Sequence, residues 1–152
     1  MLKGIKLEDF IVAYKGTEPV GVAALWDQSS FRRMVVRAYS GSMRLASVLD
    51  RIVGKLSSAP LLPEKGKPFA PRYLSCVAVK NNNPEVFAAL LGEAVTRMRG
   101  RKEKLLIAGF FEADRLCPVL NAHFHLPFYS NIYAVVWDGT AHTAFGAGRG
   151  CY

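Results

Sequence analysis

The chain of 152 residues has few cysteines and no long apolar run. Its three cysteines, Cys76, Cys117 and Cys151, are widely separated and odd in number, which fits neither a disulfide framework nor a paired zinc knuckle. We therefore expect Cys76 and Cys117 to be buried thiols that pack as small apolar residues. No apolar run approaches the roughly 20 residues that cross a bilayer, and the chain starts with charges where a secretory signal is hydrophobic. These absences predict a cytoplasmic protein without membrane contact.

Glycine is missing from the junction between the clearest strand and the clearest helix. Residues 73–79 form an apolar run, and residues 85–99 carry apolar side chains at helical spacing after Asn83 as N-cap and Pro84 in the first position. A helix N-terminus directs free N–H groups and the positive end of its dipole outwards, which favours phosphate. The lack of glycine and the presence of Glu85 in the first turn instead favour an ordinary capped surface helix. Both interpretations are open at this point.

The remaining elements follow from the periodicity of apolar residues. The pattern predicts a hairpin of strands 10–14 and 20–26 with a five-residue turn, amphipathic helices at 28–40 and 45–56, a loop at 57–72, a strand at 104–111, a helix at 114–124, a strand at 131–137 and a tail at 139–152 that frays or adds a weak edge strand. Because the run 20–26 is apolar throughout, we expect that strand to be covered on both faces. The order of elements predicts one α/β (α+β) domain over residues 1–152, with a mixed central sheet and helices on both faces.

The formal net charge of +8 is concentrated in two regions. Basic residues at 97–104 surround the end of the long helix, where cations are favoured by the helix dipole. A second group includes Arg32, Arg33 and Arg37 and is a candidate for binding nucleic acid. No aromatic residues alternate with it and no zinc-finger spacing accompanies it, so nucleic-acid binding ranks third among the functions considered.

Few residues have a pattern that suggests catalysis or metal binding. His123 and His125 share a face only in an extended chain, whereas the surrounding pattern is helical, and no third ligand has a suitable spacing. We therefore expect no metal site. Glu112, at the end of a strand, is a candidate general base, and a solvated or capping carboxylate is the alternative.

The order of the elements resembles the GNAT superfamily of acyl-CoA-dependent N-acetyltransferases. The similarity covers the hairpin ending in residues 20–25, the strand-helix unit 73–99, the strand 104–111, the helix 114–124 and the strand 131–137, about two-thirds of the chain. Segments 24–28, 36–40 and 129–137 look like the C-terminal part of longer bacterial GNAT-related proteins. The resemblance implies a GNAT-like fold that lacks the usual first strand and two helices.

The resemblance also implies a cofactor, an acceptor and residue roles. In the family, the strand before the long helix pairs its backbone with the pantetheine arm of acetyl-CoA, and the helix N-terminus takes the pyrophosphate. By position, the cofactor-binding residues would be Cys76, Val77, Val79, Asn81, Asn82 and Asn83. Tyr129 would be the acid that protonates the departing thiolate, and an aromatic ring packed beside Phe128 is its alternative role.

The leading hypothesis is a GNAT-like domain that transfers an acetyl group from acetyl-CoA to a small-molecule or peptide amine. The second is a catalytically silent GNAT-like module that binds a partner or forms a homodimer. The third is nucleic-acid binding through the arginines at 32–37.

Overall fold

A four-stranded mixed sheet organises the part of the chain that the computed structural model describes, namely residues 3–41, 44–45, 47–50, 52, 62–99, 101, 105–123, 125–127, 129–131 and 149–151. In spatial order its strands are β1 (Phe10–Lys15), β2 (Glu18–Asp27), β5 (Arg72–Val79) and β6 (Leu106–Ala108). The first three strands are antiparallel neighbours and β6 runs parallel to β5. Helix α1 (Pro84–Arg99) joins the two parallel strands.

Two smaller sheets and three short 3-10 helices also lie among the described residues. The pair β3 (Met34–Val35) and β4 (Pro68–Phe69) is antiparallel, and β7 (Phe110–Phe111), β9 (Arg149–Cys151) and β8 (Tyr129–Asn131) form a three-stranded sheet in that order. The 3-10 helices are Leu7–Asp9, Lys80–Asn82 and Cys117–Ala122. The α+β class and the mixed central sheet are therefore as predicted. Among the described residues, no helix has both the length and the apolar character needed to cross a bilayer.

The core lies between α1 and the sheet. The helix buries the side chains that recur at helical spacing, Phe87, Leu90, Leu91, Ala94 and Met98, as the sequence pattern indicated. They pack against sheet residues that include Ile11, Leu25 and Leu74. Helix and sheet come close where Gly21 of β2 faces Val86 and Leu90. At the far end of α1, the Arg97 guanidinium donates to the carbonyls of Glu8 and Phe10 at 3.2 and 3.3 Å, which fixes the helix to the start of β1.

Segment 28–39 packs on the opposite face of the sheet at Trp26 and Tyr73, and the predicted helix over 28–40 is wrong. The amides of Phe31 and Arg32 both bond to the Gln28 carbonyl, but this single turn ends and the chain becomes extended in β3. The apolar side chains pack across the sheet: the Phe31 ring lies 6.0 Å from the Trp26 ring, and the Tyr73 hydroxyl donates to Met34 Sδ at 3.1 Å. Tertiary packing has therefore overridden a spacing that also fits a helix.

Coverage of both faces is clearest in the middle of β2. Ala23, Ala24 and Leu25 are consecutive and buried, so residues that point to opposite faces are all removed from water. This confirms the prediction for residues 23–25, whereas residues 20–22 and 26 are only partly buried. The predicted five-residue turn before β2 is wrong, because Lys15 pairs with Glu18 and only Gly16 and Thr17 form the turn. Gly16 has a φ of +62°, which glycine adopts without a steric penalty.

The remaining predictions are met in part. Residues 44, 45, 47–50 and 52 are helical, in agreement with the second amphipathic pattern, although Leu45, Val48, Leu49 and Ile52 are exposed. The strand predicted over 104–111 is divided at Gly109 into β6 and β7, and the helix predicted over 114–124 is a 3-10 helix. Residues 132–137 lie outside the described part, and the tail contributes β9 between β7 and β8.

An ion pair closes the end of the β2–β5 ladder. Arg72 Nη1 lies 2.9 Å from Asp27 Oδ2, and the backbone amide of Ser29 donates to Asp27 Oδ1 at 2.9 Å. Burial raises the pKa of Asp27, but the hydrogen bonds from Ser29 and the charges of Arg72 and Arg101 outweigh it, so the pKa lies below its ordinary value. The carboxylate is thus held in its charged form.

Two glycine substitutions test the close approach of α1 to β2. Gly21→Ala should lower the free energy of unfolding by about 1–2 kcal/mol, because the added Cβ would lie 2.7 Å from Val86 Cγ1 and 3.1 Å from Leu90 Cδ1. Gly92→Ala, where no atom lies within 4 Å, should raise it, by about 0.5–1 kcal/mol. Urea denaturation measures both. Equal effects of the two substitutions would contradict the packing described.

A pH series tests the Asp27–Arg72 pair. Because the folded-state pKa of Asp27 is depressed, its stabilisation is complete above the unfolded-state pKa of about 3.9 and is lost as pH falls through the folded-state value. Asp27→Asn should therefore reduce the free energy of unfolding by about 0.5–1 kcal/mol at pH 7 and by nothing near pH 2. Glu8→Gln, which removes an exposed ion pair with Lys6, is the control and should have no measurable effect. A difference between wild type and Asp27→Asn that is independent of pH would disprove the assignment.

Candidate functional site

Strands β5 and β6 separate part of the way along the sheet. Their pairing covers Arg72 with Leu106, Tyr73 with Ile107 and Leu74 with Ala108. Beyond this point β5 continues to Val79, whereas the other strand ends and, after Gly109, the chain enters β7 of the second sheet. Among the described residues, β6 therefore leaves the second half of β5 without a partner on this side.

A β-bulge lies in β5 where the strands separate. Ala24 pairs with Ser75 and Val22 with Ala78, so Cys76 and Val77 together oppose the single residue Ala23. Cys76 has a φ of +53°, in the left-handed region that non-glycine residues rarely adopt. Its thiol is exposed, so the expectation of a buried Cys76 is wrong. Cys117 is half-buried and packs against the core.

The bulge changes which residues of β5 face the helix. Leu74, before the bulge, is part of the core, and Val77 and Val79, after it, pack against the same core. In an uninterrupted strand, residues at an odd separation from Leu74 would point to the opposite face. The extra residue therefore keeps apolar side chains directed at α1 along the whole strand.

The extra residue of the bulge also directs backbone groups of β5 into the gap. The Arg72 amide donates to the Leu105 carbonyl, just before β6, at 3.0 Å. Because the backbone groups of successive strand residues point to alternate sides, the N–H and C=O groups of Leu74 point towards β6 and those of Ser75 point towards β2. After the bulge, Ala78 is the partner of Val22 and faces β2. Alternation then places the N–H and C=O groups of Val77 and Val79 on the side that β6 has left.

Phe110 packs on α1 at the point where the strands separate. Immediately after Gly109, its ring packs against Phe87 of α1, with ring centroids 5.2 Å apart and an interplanar angle of 70°. This edge-to-face contact is a favourable arrangement of aromatic rings. The chain after β6 is thus held against the helix.

The connection to α1 has three consecutive asparagines. Asn81 and Asn82 have φ values of +56° and +48°, a conformation that asparagine tolerates better than most residues. Asn83 caps the helix, because its side-chain Oδ1 accepts the Glu85 amide at 2.8 Å and its carbonyl accepts the Phe87 amide. The predicted N-cap and first residue, Asn83 and Pro84, are correct. The cap satisfies one helix N–H group within the chain.

Of the two candidate catalytic residues, Tyr129 lies in the three-stranded sheet and Glu112 lies next to it. Tyr129 and Phe110 are both partners of Cys151 from opposite sides, so they are two strand spacings apart, about 10 Å. Glu112 follows β7 directly and is exposed, and the Tyr129 side chain is also exposed. The cofactor-binding candidates at 76–83 instead form one continuous segment of β5 and its connection. From the candidates at 76–83 the chain runs through α1, β6 and Gly109 before it reaches Glu112.

The other candidate side chains have structural partners. The Arg32 guanidinium lies 5.3 Å above the Tyr73 ring and bonds to Gln28 Oε1 at 3.4 Å, which gives it a packing role. Arg33 and Arg37 are exposed. His125 Nδ1 lies 2.9 Å from the His123 carbonyl. In the described part of the chain, no three metal-binding side chains come together.

The comparisons with known proteins give no relative for this site: no family model, no curated protein and no solved structure matches the chain.

Two features of the gap do not follow from the sequence. The bulge had no signal, because its left-handed position holds cysteine where glycine or asparagine would have indicated it. Phe110 was assigned to a continuous strand, although Gly109 before it is a residue that often marks a strand interruption.

Two substitutions test the strained bulge. Cys76→Gly removes the Cβ that disfavours the left-handed conformation, whereas Cys76→Val adds a branched one. We expect Cys76→Gly to be more stable than Cys76→Val by at least about 1 kcal/mol, because a left-handed residue costs about 1–2 kcal/mol. Chemical denaturation under reducing conditions measures the difference. Equal stability of the two variants would show that residue 76 is not in the left-handed region.

Proposed function

We propose that this chain is a GNAT-like N-acetyltransferase domain that transfers an acetyl group from acetyl-CoA to an amine. The observation that supports the proposal is the gap between β5 and β6, with outward backbone groups at Val77 and Val79 beside the start of α1. An extended pantetheine arm carries amide groups that can pair with such a strand edge as another strand would. By the resemblance in the order of elements, this gap would correspond to the position at which the family binds its cofactor.

The chemistry requires three groups around the thioester. The amine nitrogen attacks the carbonyl carbon, a C–N bond forms, the C–S bond breaks and the thiolate leaves with a proton. Backbone N–H groups beside the bulge would polarise the carbonyl. Tyr129 would give the proton to the thiolate, and Glu112 would take the proton from the amine.

The start of α1 favours a second candidate function, a catalytically silent module. The Glu85 amide already donates its hydrogen bond to Asn83 Oδ1, so it is not available to a ligand. The Glu85 carboxylate lies in the first turn, where it would compete with a pyrophosphate for the positive end of the helix. Lys80, the nearest cation in the connection, pairs with Glu18. A silent module would keep the gap without binding the cofactor.

Ligand-induced stabilisation tests the proposal. Acetyl-CoA should raise the melting temperature and release heat in isothermal titration, and a ligand at ten times its Kd stabilises by about 1.4 kcal/mol. ATP at equal concentration is the control, because it carries phosphate charge to a chain of net charge +8 but has no pantetheine arm. Equal responses to both ligands, or none to acetyl-CoA at millimolar concentration, would reject the cofactor site.

Tyr129→Phe separates the enzyme from the silent module. It removes only the hydroxyl, so we expect acetyl-CoA binding to be unchanged and the release of coenzyme A with a panel of amines and peptides to fall by about 10²-fold or more. A wild-type protein that acetylates no amine in the panel would favour the silent module.

A further inference from the structure

The helix at residues 44, 45, 47–50 and 52, which we call the outer helix, exposes its apolar face. Its four large apolar side chains recur at helical spacing and so lie on one face, and each is between 54% and 71% exposed: Leu45, Val48, Leu49 and Ile52. In globular proteins such a stripe usually faces the core. An exposed stripe of this kind indicates an interaction surface.

The opposite face of the outer helix attaches it to the rest of the chain. Asp50 Oδ2 accepts the Leu62 amide at 2.8 Å, and Ser47 is buried with its hydroxyl donated to the Arg44 carbonyl at 2.8 Å. On a helix of about 3.6 residues per turn, Ser47 and Asp50 lie across the axis from the apolar stripe. The helix is therefore held by its polar side, and the stripe faces away from the protein.

Hydrogen bonds connect the outer helix to strands β3 and β4. Leu62 is followed directly by Pro63, whose carbonyl accepts the Tyr39 hydroxyl at 2.7 Å. The Gly66 amide donates to the Val36 carbonyl at 3.0 Å, just after β3. The outer helix and the β3–β4 pair are therefore connected parts of one surface region.

This region carries most of the positive charge of the chain. Segment 31–69 contains eight basic and two acidic residues, so it contributes +6 of the formal net charge of +8. In the described part of the chain, four of its cations are exposed and have no acidic partner within ion-pair distance: Arg33, Arg37, Arg44 and Lys65. Arg44 precedes Leu45 and lies one helical turn before Val48, so it borders the apolar stripe. The region thus presents aliphatic and cationic side chains together.

The combination favours one kind of partner. Nucleic acid would bind the cations but leave the stripe in water, because stacking on bases requires aromatic rings and the stripe has none. A second copy would bring the unpaired cations of two chains together. Protein interfaces derive most of their binding energy from tryptophan, tyrosine and arginine, whereas leucine and valine are under-represented. An anionic bilayer accommodates aliphatic side chains among its acyl chains and cations at its headgroups.

We infer that the outer helix binds to the surface of an anionic lipid bilayer. The apolar stripe inserts at the boundary between headgroups and acyl chains, and Arg33, Arg37 and Arg44 lie near the lipid phosphates. The expectation of no membrane contact rests on the absence of a run that could cross the bilayer, and a helix that lies in the plane of the surface needs no such run. Because the stripe has only four residues, we expect reversible binding.

Co-sedimentation with lipid vesicles tests the inference. Wild type should bind vesicles made of equal parts phosphatidylcholine and phosphatidylglycerol at least about tenfold more tightly than vesicles of phosphatidylcholine alone, since each cation near an anionic surface contributes about fivefold. Leu49→Gln with Ile52→Gln shortens the stripe without a change of charge and should weaken binding to the mixed vesicles by at least about tenfold. Arg33→Gln with Arg37→Gln should weaken it by a similar factor.

Leu7→Gln is the control, because Leu7 is an exposed leucine in the 3-10 helix Leu7–Asp9, outside this region. It should bind the mixed vesicles as wild type does. All the substituted side chains are exposed, so circular dichroism should show that every variant is folded. The inference would be overturned by a wild type that binds no mixed vesicles, by equal binding to both lipid compositions, or by a control that loses as much binding as Leu49→Gln with Ile52→Gln.

Two further measurements separate the other partners. In sedimentation velocity without lipid, a wild-type dimer that Leu49→Gln with Ile52→Gln dissociates would assign the stripe to a second copy and overturn the inference. Binding of a single-stranded oligonucleotide without binding of mixed vesicles would assign the cations to nucleic acid and overturn it as well. Vesicle binding does not involve Val77, Val79 or Tyr129, so this inference and the acetyl-CoA proposal can fail separately.

Discussion

The site depends on one extra residue in β5. Without the bulge at Cys76 and Val77, the strand could not keep Leu74, Val77 and Val79 against α1 while Ala78 pairs with Val22. Burial of those side chains therefore offsets the cost of a left-handed cysteine. The same extra residue turns backbone groups of β5 towards the gap that β6 leaves. Packing of the core and exposure of the strand edge are thus consequences of one local distortion.

The gap is maintained by residues outside β5. Phe110, which follows the end of the β5–β6 pairing, packs on Phe87 of α1. The other end of α1 is fixed by the hydrogen bonds of Arg97. The helix therefore holds both the point where β6 turns away and the start of β1.

Strong periodicity made the central elements predictable. Asn83, Pro84 and the apolar side chains of α1 agree in sequence and structure, because capping, proline geometry and burial all favour the same helix. Segment 28–40 is not a helix although Phe31 and Met34 have helical spacing, because their side chains contact Trp26 and Tyr73 across the sheet. Such contacts are long-range, so local sequence does not contain them. For the candidate site, the segment 76–83 could be named from sequence, but the bulge and the separation of strands required the register.

Amide hydrogen exchange along β5 tests the central claim most directly. If β5 and β6 are separated and the bulge determines which backbone groups point into the gap, the Val77 amide should exchange quickly. The Ala78 amide, which faces β2, should exchange slowly. Addition of acetyl-CoA should then slow Val77 more than Ala78. Equal, slow exchange of both amides in the free protein would mean that the edge is already paired, and the account would be wrong.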